Sequence, residues 1–313
     1  MKKYFLLFCY IILCSLSFSH EIYRDRMKEF IRELRENTAK EKIFITQNGN
    51  ELYFKNGKLD FDFFPVTDGT TQESLYYGHE LHLSRATPSK FKKELLSFLI
   101  PIQKEGKTVF NINYGEGENR RAKIAEENEK FGFIGELLPV FEANKGYTPI
   151  KSFHKEDISS LKEAKNFLCL LNPEKFKNLK EYREYLENKD YDVLLIEPSL
   201  NGEFFTREDI ESLKRKTSGG RRLVIAYFSI GEAENYRYYW KKSWNKKRPD
   251  WIVEENENWK GNYIVKYWVP EWKSIIKNYQ KKLDEIGVDG YLLDTVDSYY
   301  YFEDKEEEKK GKK

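Results

Sequence analysis

Short apolar runs alternate along this chain with longer stretches whose apolar residues recur at helical spacing. The helical spacing is clear between Met27 and Leu34 and again between Trp272 and Leu283. Such alternation predicts an α/β fold whose parallel strands are buried on both faces. The predicted strands are residues 42–46, 63–67, 108–113, 166–171, 191–197, 222–229, 262–268 and 288–294. Eight strands with intervening helices favour a closed (β/α)8 barrel of the TIM type, and an open doubly wound sheet is the alternative.

Polar residues follow most of the predicted strands. They lie at 47–51, 68–73, 113–118, 197, 229–234 and 294–297. Any single group is explained by a helix N-cap or a turn. In a barrel, however, the carboxyl ends of all strands meet at one face, where active sites lie. The recurrence of carboxylates at these ends therefore predicts a site at that face.

The first 19 residues have the layout of a secretory signal peptide. Lys2 and Lys3 precede an apolar stretch at 4–16, and the small residues Ser17 and Ser19 follow it. The alternative is a membrane anchor, but the stretch is shorter than the ~20 residues of a spanning helix. We therefore expect a secreted or periplasmic protein with no stable membrane anchor after signal cleavage.

The remaining chain is predicted to form one domain. Signal cleavage would leave Cys169 as the only cysteine, so a packed core without disulfides must stabilise the fold. No Pro/Gly/Ser-rich linker interrupts residues 20–303, and residues 304–313 are expected to form a solvated, charged tail. A net charge of +2, from 54 basic and 52 acidic residues, argues against a nucleic-acid partner.

Three long motifs lie in the second half of the chain. They are IAYFSIGEAENYRYYW (225–240), ENENWKGNYIVKYWVPEW (255–272) and GVDGYLLDTVDSYYYFE (287–303). Together they closely resemble extracellular proteins related to endo-α-1,4-polygalactosaminidase, glycoside hydrolase family 114. The resemblance implies a (β/α)8 barrel and a secreted hydrolase that cleaves an amino-sugar polysaccharide of the polygalactosamine type.

The first half resembles the same family in a different order. The segments RMKEFIREL, ITQNGNEL, DGTTQESLYY and GKTVFNINYGEGENRRAKIAEENEKFGF look like ones that normally follow the YYYFE motif. This order predicts a circular permutation whose new ends fall between Glu303 and Glu21. Strand 42–46 should then pair in parallel with strand 288–294.

Glycosidic cleavage generally uses two carboxyl groups, one of which is a proton donor. Asp294 ends an apolar strand and matches an Asp that the family pattern implicates in catalysis; an N-cap is its alternative role. Glu73 is the predicted second carboxyl, because ESLYY falls where the family has a strand-end Glu. A surface position is the alternative for Glu73, and Glu51 competes with it as the acid. Asp297 is expected to hold Asp294 or a sugar hydroxyl.

Other strand ends provide candidates for substrate binding. They are Gln47, Asn48, Glu197, Glu232 and Glu234. Gln47 and Asn48 either bind sugar hydroxyls or form a turn with Gly49. Glu232 and Glu234 either bind sugar hydroxyls or an amino group, or form an ion pair with Arg237.

The six tryptophans all lie within residues 240–272. Such a cluster either packs in the core or forms a wall for sugar rings. Trp272 shares helical spacing with Ile275 and Ile276, which predicts burial. Trp244, Trp251 and Trp259 are predicted to lie in a loop and to contact the sugar.

A metal site and a cofactor are not predicted. The histidines of the His79-Glu80-Leu81-His82 string are three positions apart, whereas the zinc-protease helix needs four. The first functional hypothesis is the glycoside hydrolase described above. The second is a non-catalytic barrel that binds polysaccharide through its aromatic cluster, because a fold alone does not establish activity.

Overall fold

The computed structural model of this chain describes residues 21–144 and 153–310. The predicted signal peptide and the last three residues of the predicted tail lie outside these ranges. Within them, no helix is both long and apolar enough to cross a membrane.

Eight parallel strands form a nearly closed barrel, as predicted. They are β1 (Ile43–Gln47), β2 (Gly69–Glu73), β3 (Thr108–Tyr114), β4 (Ile134–Leu138), β5 (Phe167–Leu170), β6 (Val193–Ile196), β7 (Leu223–Ser229) and β8 (Gly290–Asp294). Their order around the barrel is β4-β3-β2-β1-β8-β7-β6-β5. Within the described ranges, hydrogen-bonded ladders join every neighbouring pair except β4 and β5, which lie side by side at an open seam.

Helices surround the barrel, and short sheets lie at its ends. The helices are α1 (Glu21–Glu36), α2 (Ser89–Lys104), α3 (Glu118–Phe131), α4 (Leu179–Glu187), α5 (Arg207–Leu213), α6 (Pro270–Ile286) and α7 (Tyr299–Lys310). Two hairpins pair Phe54–Lys55 with Lys58–Leu59 and Ser199–Leu200 with Glu203–Phe204. An antiparallel outer sheet consists of Glu232–Glu234, Ile252–Glu255 and Asn262–Val265.

Successive side chains of a barrel strand point alternately to its interior and to the helices. In β7, Ile225 and Tyr227 belong to the interior apolar cluster, whereas Ala226 and Phe228 belong to the cluster under the helices. The same alternation in β8 places Leu292 inside. Asp294, two residues further on, therefore faces the barrel interior at its carboxyl end.

The predicted pairing of the first and last strands is confirmed. Ile43 lies opposite Gly290 and Thr46 opposite Leu293 in a parallel ladder. The helices next to these strands also meet, because Arg24 of α1 pairs with Glu303 of α7 at 2.9 Å. The circular permutation itself stays a prediction.

One predicted strand was placed too early in the chain, one belongs to another sheet, and one barrel strand was missed. Residues 63–67 contain the 3-10 turn Phe64–Val66, and the strand begins only at Gly69. Pro65 lacks the N–H that a central ladder requires, so the apolar run packs as a turn instead. Asn262–Val265 is a strand of the antiparallel outer sheet and not of the barrel. The missed strand, Ile134–Leu138, has a glycine and a glutamate that interrupt its apolar run.

Candidate active site

An open cavity of about 1490 Å³ occupies the carboxyl end of the barrel. Residues at or after the end of all eight strands line it, including Asn48, Glu73, Tyr114, Glu197 and Asp294. Sites for small ligands are typically ~300–1000 Å³. The cavity is therefore large enough for several linked units of a polymer.

Asp294 lies in this cavity at the end of β8. Its carboxyl oxygen Oδ2 accepts a hydrogen bond of 2.8 Å from the hydroxyl of Tyr227, which points inward from the neighbouring strand β7. Burial raises the pKa of Asp294 to about 7, and the negative charge of Glu73 adds to this rise, while the Tyr227 hydrogen bond opposes it. Asp294 can therefore hold a proton near neutral pH.

Glu73 faces the same cavity from the end of β2. Its Oε2 accepts a hydrogen bond of 3.0 Å from the side-chain amide of Asn48, and its Oε1 accepts one from the Tyr114 hydroxyl. The side-chain oxygen Oδ1 of Asn48 in turn accepts a hydrogen bond of 3.0 Å from the backbone N–H of Glu73. Asn48 has a φ of +57°, a left-handed conformation that Asn adopts more readily than most residues. This turn after β1 thus fixes the Glu73 carboxylate.

Asp297 lies one turn beyond Asp294 and also lines the cavity. The turn begins at Thr295, whose φ of +59° is uncommon for a β-branched residue. The Thr295 hydroxyl accepts the backbone N–H of Gly231 at 2.8 Å, which ties the strained residue to the end of β7. Burial, followed by repulsion from Asp294, holds the pKa of Asp297 well above its ordinary value. The turn therefore brings a second carboxyl close enough to Asp294 for their charges to repel.

Glu232 lines the cavity from the outer sheet and is about 5% exposed. Its Oε1 accepts a hydrogen bond of 2.8 Å from the Asn256 amide, whereas its Oε2 is buried and has no hydrogen-bond partner in the described structure. Burial raises the pKa of Glu232 to about 8, and repulsion from Asp294 contributes. Glu232 therefore joins Asp294, Glu73 and Asp297 among the carboxyl groups that line the cavity.

Arg237 forms buried ion pairs with two other predicted binding residues. Its guanidinium lies 2.7 Å from Glu197 Oε2 and 2.6 Å from Glu234 Oε2. Glu234 therefore forms the ion pair with Arg237 that was the alternative to sugar binding, and it does not line the cavity. Glu197 does line the cavity, but Arg237 and Ser199 donate hydrogen bonds to its oxygens.

The residues after β1 separate into two groups. Gln47 and Asn48 line the cavity. Glu51 does not, because it belongs to the 3-10 turn Asn50–Tyr53 and accepts a hydrogen bond of 3.1 Å from the Tyr299 hydroxyl of α7. Its proposed role as an acid in the cavity is therefore contradicted by its position in the helical layer.

The expectation that Trp244 and Trp251 contact sugar was wrong. Both side chains are about 9% exposed, and they stack edge to face with each other at 5.3 Å between ring centroids. Trp251 also packs against the fully buried Trp272, which was correctly predicted to lie in the core. These rings pack between the outer sheet and α6. The sequence pattern alone cannot distinguish tryptophans buried in this way from tryptophans in a solvent-facing loop.

Trp259 does lie at the cavity, where 44% of it is exposed. Tyr236 and Tyr238 join it there, 61% and 48% exposed. These three residues, called the aromatic rim below, present large flat rings to solvent. Such rings suit the packing of sugar faces.

Tyr114 and Tyr227 were not identified from the sequence as residues of the site. Arg237 was named as an ion-pair partner, but it was not predicted that Arg237 also binds Glu197. A usable signal existed for the tyrosines. Tyr114 stands two residues after the inward-facing Ile112, and Tyr227 two residues after Ile225, so strand alternation points both rings into the barrel. For Arg237 no local pattern shows that one side chain joins Glu197 to Glu234.

Within residues 21–144 and 153–310, no group of three His, Cys, Asp or Glu side chains is arranged to hold a metal ion. Cys169 is buried in the barrel interior, and burial raises the pKa of its thiol well above the ordinary value. The polar groups that line the cavity are carboxyls, hydroxyls and amides, together with the basic side chains of His82, Arg237 and Lys260.

Comparisons with known proteins agree with this arrangement. Residues 157–312 match the model of glycoside-hydrolase family GH114. The chain is 42% identical over 120 residues to the uncharacterized protein MJ1477 of Methanocaldococcus jannaschii, which covers 37% of this chain and 34% of that protein. It is 37% identical over 117 residues to an uncharacterized protein of Thermotoga maritima, covering 37% of this chain and 36% of that protein. The chain thus matches about a third of the length of these relatives. The family match contains β5 to β8 and therefore Asp294, whereas Glu73 lies outside it.

Proposed function

Because the chain is a glycoside hydrolase family 114-like protein, we propose that it hydrolyses the glycosidic bonds of an amino-sugar polysaccharide of the polygalactosamine type. Asp294 and Glu73 are the two carboxyl groups of the reaction. The observation that carries the proposal is their arrangement: both end barrel strands, both line one cavity, and the charge of Glu73 helps raise the pKa of Asp294 to about 7.

Their surroundings support different tasks for the two groups. Asp294 is the more suitable proton donor to the leaving oxygen, since it holds a proton near neutral pH. Glu73 is the more suitable nucleophile or base, because two hydrogen-bond donors, Asn48 and Tyr114, stabilise a negative charge on its oxygens. Pairs of carboxyls in unlike environments are the usual solution for this reaction.

The shape of the site supports a polymeric substrate. The cavity is open, and the aromatic rim at its edge offers rings that pack on sugar faces. We also propose that the protein is exported, because its first 19 residues have the layout of a signal peptide.

The test is the release of reducing ends from galactosamine polymers and related polysaccharides. Positioned acid–base groups contribute ~10²–10⁴-fold to rate, so Asp294→Asn and Glu73→Gln should each lower kcat at least ~100-fold. Glu257→Gln is the matched control, because Glu257 lies at the same cavity but is exposed. It should keep turnover near that of the wild type.

Wild-type turnover in Asp294→Asn would refute the assignment. Binding of the polymer by the wild type with no hydrolysis of any polysaccharide would favour the second candidate function, a glycan-binding barrel. The aromatic rim is the observation that supports this second candidate.

A further inference from the structure

Glu232 is a cavity carboxyl that the proposed acid–base pair leaves without a task. It begins the outer-sheet strand Glu232–Glu234, and only about 5% of it is exposed. The Asn256 amide fixes Oε1 at 2.8 Å, and a side-chain hydrogen bond from Asn262 also lowers the pKa of Glu232. Oε2 nevertheless has no donor at hydrogen-bond geometry among the described residues. A buried carboxyl oxygen without a donor is costly, and most native ones have a partner.

The charged groups around Glu232 do not supply that partner. Asp294 and Glu234 are both acidic and repel its charge, and Asp297 is affected by Glu232 in the same way. Arg237, a buried cation that lines the same cavity, is engaged with Glu197, Glu234 and the Tyr279 hydroxyl. Burial and these neighbours raise the pKa of Glu232 to about 8, so the empty site favours the protonated carboxyl near neutral pH. A positively charged donor that enters with a ligand would supply the unmade hydrogen bond and would also offset the repulsion that opposes the ionised form.

We propose that Glu232 binds the ammonium group of an amino sugar unit and thereby selects substrates with free amines. This inference rests on the proposed function, because it assigns the chemistry of one subsite in the same cavity. An ammonium is compact and carries several N–H donors, so it can donate to Glu232 Oε2 while its charge offsets the repulsion between Glu232 and Asp294. A neutral hydroxyl satisfies one hydrogen bond but leaves the like charges uncompensated, and an N-acetyl group removes the charge.

The test measures binding of galactosamine oligosaccharides and their N-acetylated forms by calorimetry, at a pH below the pKa of the sugar amine. All proteins carry Glu73→Gln, which keeps the ligands intact. Hydrogen bonds to charged groups are worth about 1.5–3 kcal/mol, so adding Glu232→Gln should raise the Kd for the free amine at least ~10-fold. The Kd for the N-acetylated ligand should change less than about twofold. Adding Glu257→Gln instead should leave both constants near their starting values.

Equal losses for both ligands, or no loss for the free amine, would overturn the inference. Folding is checked by thermal unfolding at neutral pH, and Glu232→Gln is expected to unfold at no lower temperature, because a neutral amide replaces a carboxyl whose ionised form is opposed by burial. A second measurement compares binding at low and high salt and needs no Glu232 variant. Rising salt should weaken binding of the free amine and not of the N-acetylated ligand. An equal response of both ligands would contradict the inference. The outcome is independent of catalysis: failure of Asp294→Asn to slow hydrolysis refutes the proposed function, whereas only loss of the amine preference refutes this subsite.

Discussion

At the scale of single residues, tyrosine hydroxyls adjust the two proposed catalytic carboxyls. Tyr227 donates to Asp294 and Tyr114 donates to Glu73, and each ring extends inward from a barrel strand. The hydroxyls are buried, and burial holds the pKa of both tyrosines well above the ordinary value. They therefore remain protonated donors throughout the pH range in which Asp294 titrates.

The Tyr227 hydroxyl should set the upper pH limit of activity. If protonated Asp294 is the acid, activity falls as the pH rises through about 7, the pKa of that group. Tyr227→Phe removes a hydrogen bond that lowers this pKa, so the alkaline limb of kcat against pH should move to higher pH, by about 0.5–1 unit for a bond of ~1 kcal/mol. Tyr238→Phe is the control, since Tyr238 lies at the rim and makes no described contact with Asp294. A shift to lower pH would contradict the assignment of Asp294 as the acid.

At this scale, the sequence predicted a site residue correctly where a regular strand fixes the direction of its side chain. Asp294 and Glu73 were found because each directly ends a strand, where the barrel fixes the direction of the side chain. Glu51 and Trp244 were misplaced because each lies in a 3-10 turn, whose orientation is set by packing against the helical layer. Burial of the Trp244 ring depends on Trp240 and Trp251, and nothing in the spacing of these residues encodes their contact.

At the scale of elements, the ladder between β1 and β8 joins the beginning of the barrel to its end. Gly290 lies opposite Ile43 in this ladder. A Cβ atom added at Gly290 would overlap the carbonyl oxygen of Ile43, which is backbone and cannot move as a side chain does. The absence of a side chain therefore permits the close approach of the two strands.

Gly290→Ala should destabilise the barrel at this ladder. Overpacking typically costs ~1–3 kcal/mol, and overlap with backbone atoms places the expected loss at about 2–3 kcal/mol in urea unfolding. Gly57→Ala is the comparison: its added methyl group meets open space, and only its φ of +71° causes strain, worth about 1 kcal/mol. Equal losses in the two variants would show that the ladder tolerates the extra group.

The elements themselves were largely predictable, with instructive exceptions. Continuous apolar runs such as that of β7 identify strands buried on both faces. The run at 63–67 imitates a strand because periodicity cannot separate a short apolar strand from a buried turn, and here Pro65 was the decisive residue. The strand β4 was missed for the opposite reason. Its apolar run is interrupted by Glu136, which is nearly fully buried although it is charged in type.

At the scale of the whole molecule, the carboxyl-rich cavity should make stability depend on pH. Asp294 has a pKa of about 7 in the folded chain against an ordinary 3.8, and Glu232 has about 8 against 4.5. The folded state therefore holds more protons than the unfolded state between these values. The free energy of unfolding falls with rising pH wherever that is so, so the stability present below about pH 4 is lost as the pH approaches 7–8.

Asp294→Asn should therefore stabilise the protein while it abolishes activity. One pKa unit corresponds to about 1.4 kcal/mol, and we expect a gain of ~1–3 kcal/mol at pH 8 with little gain at pH 4. Thermal or urea unfolding at both pH values measures it, with the exposed Glu257→Gln as control. A variant that is less stable than the wild type at pH 8 would mean that ionised Asp294 is favourable in the folded chain. A functional site that lowers stability in this way is common in enzymes.

The pairing of β8 with β1 also has a consequence for how the protein is made. Synthesis proceeds from the amino end, so β1 to β7 leave the ribosome before β8 does. The ladder that holds β1 joins positions as distant as Ile43 and Gly290, and contacts of such long sequence separation form slowly. Because Asp294 belongs to that last strand, its carboxyl reaches Glu73 only when translation of the barrel is complete. No shorter nascent chain can carry the assembled pair.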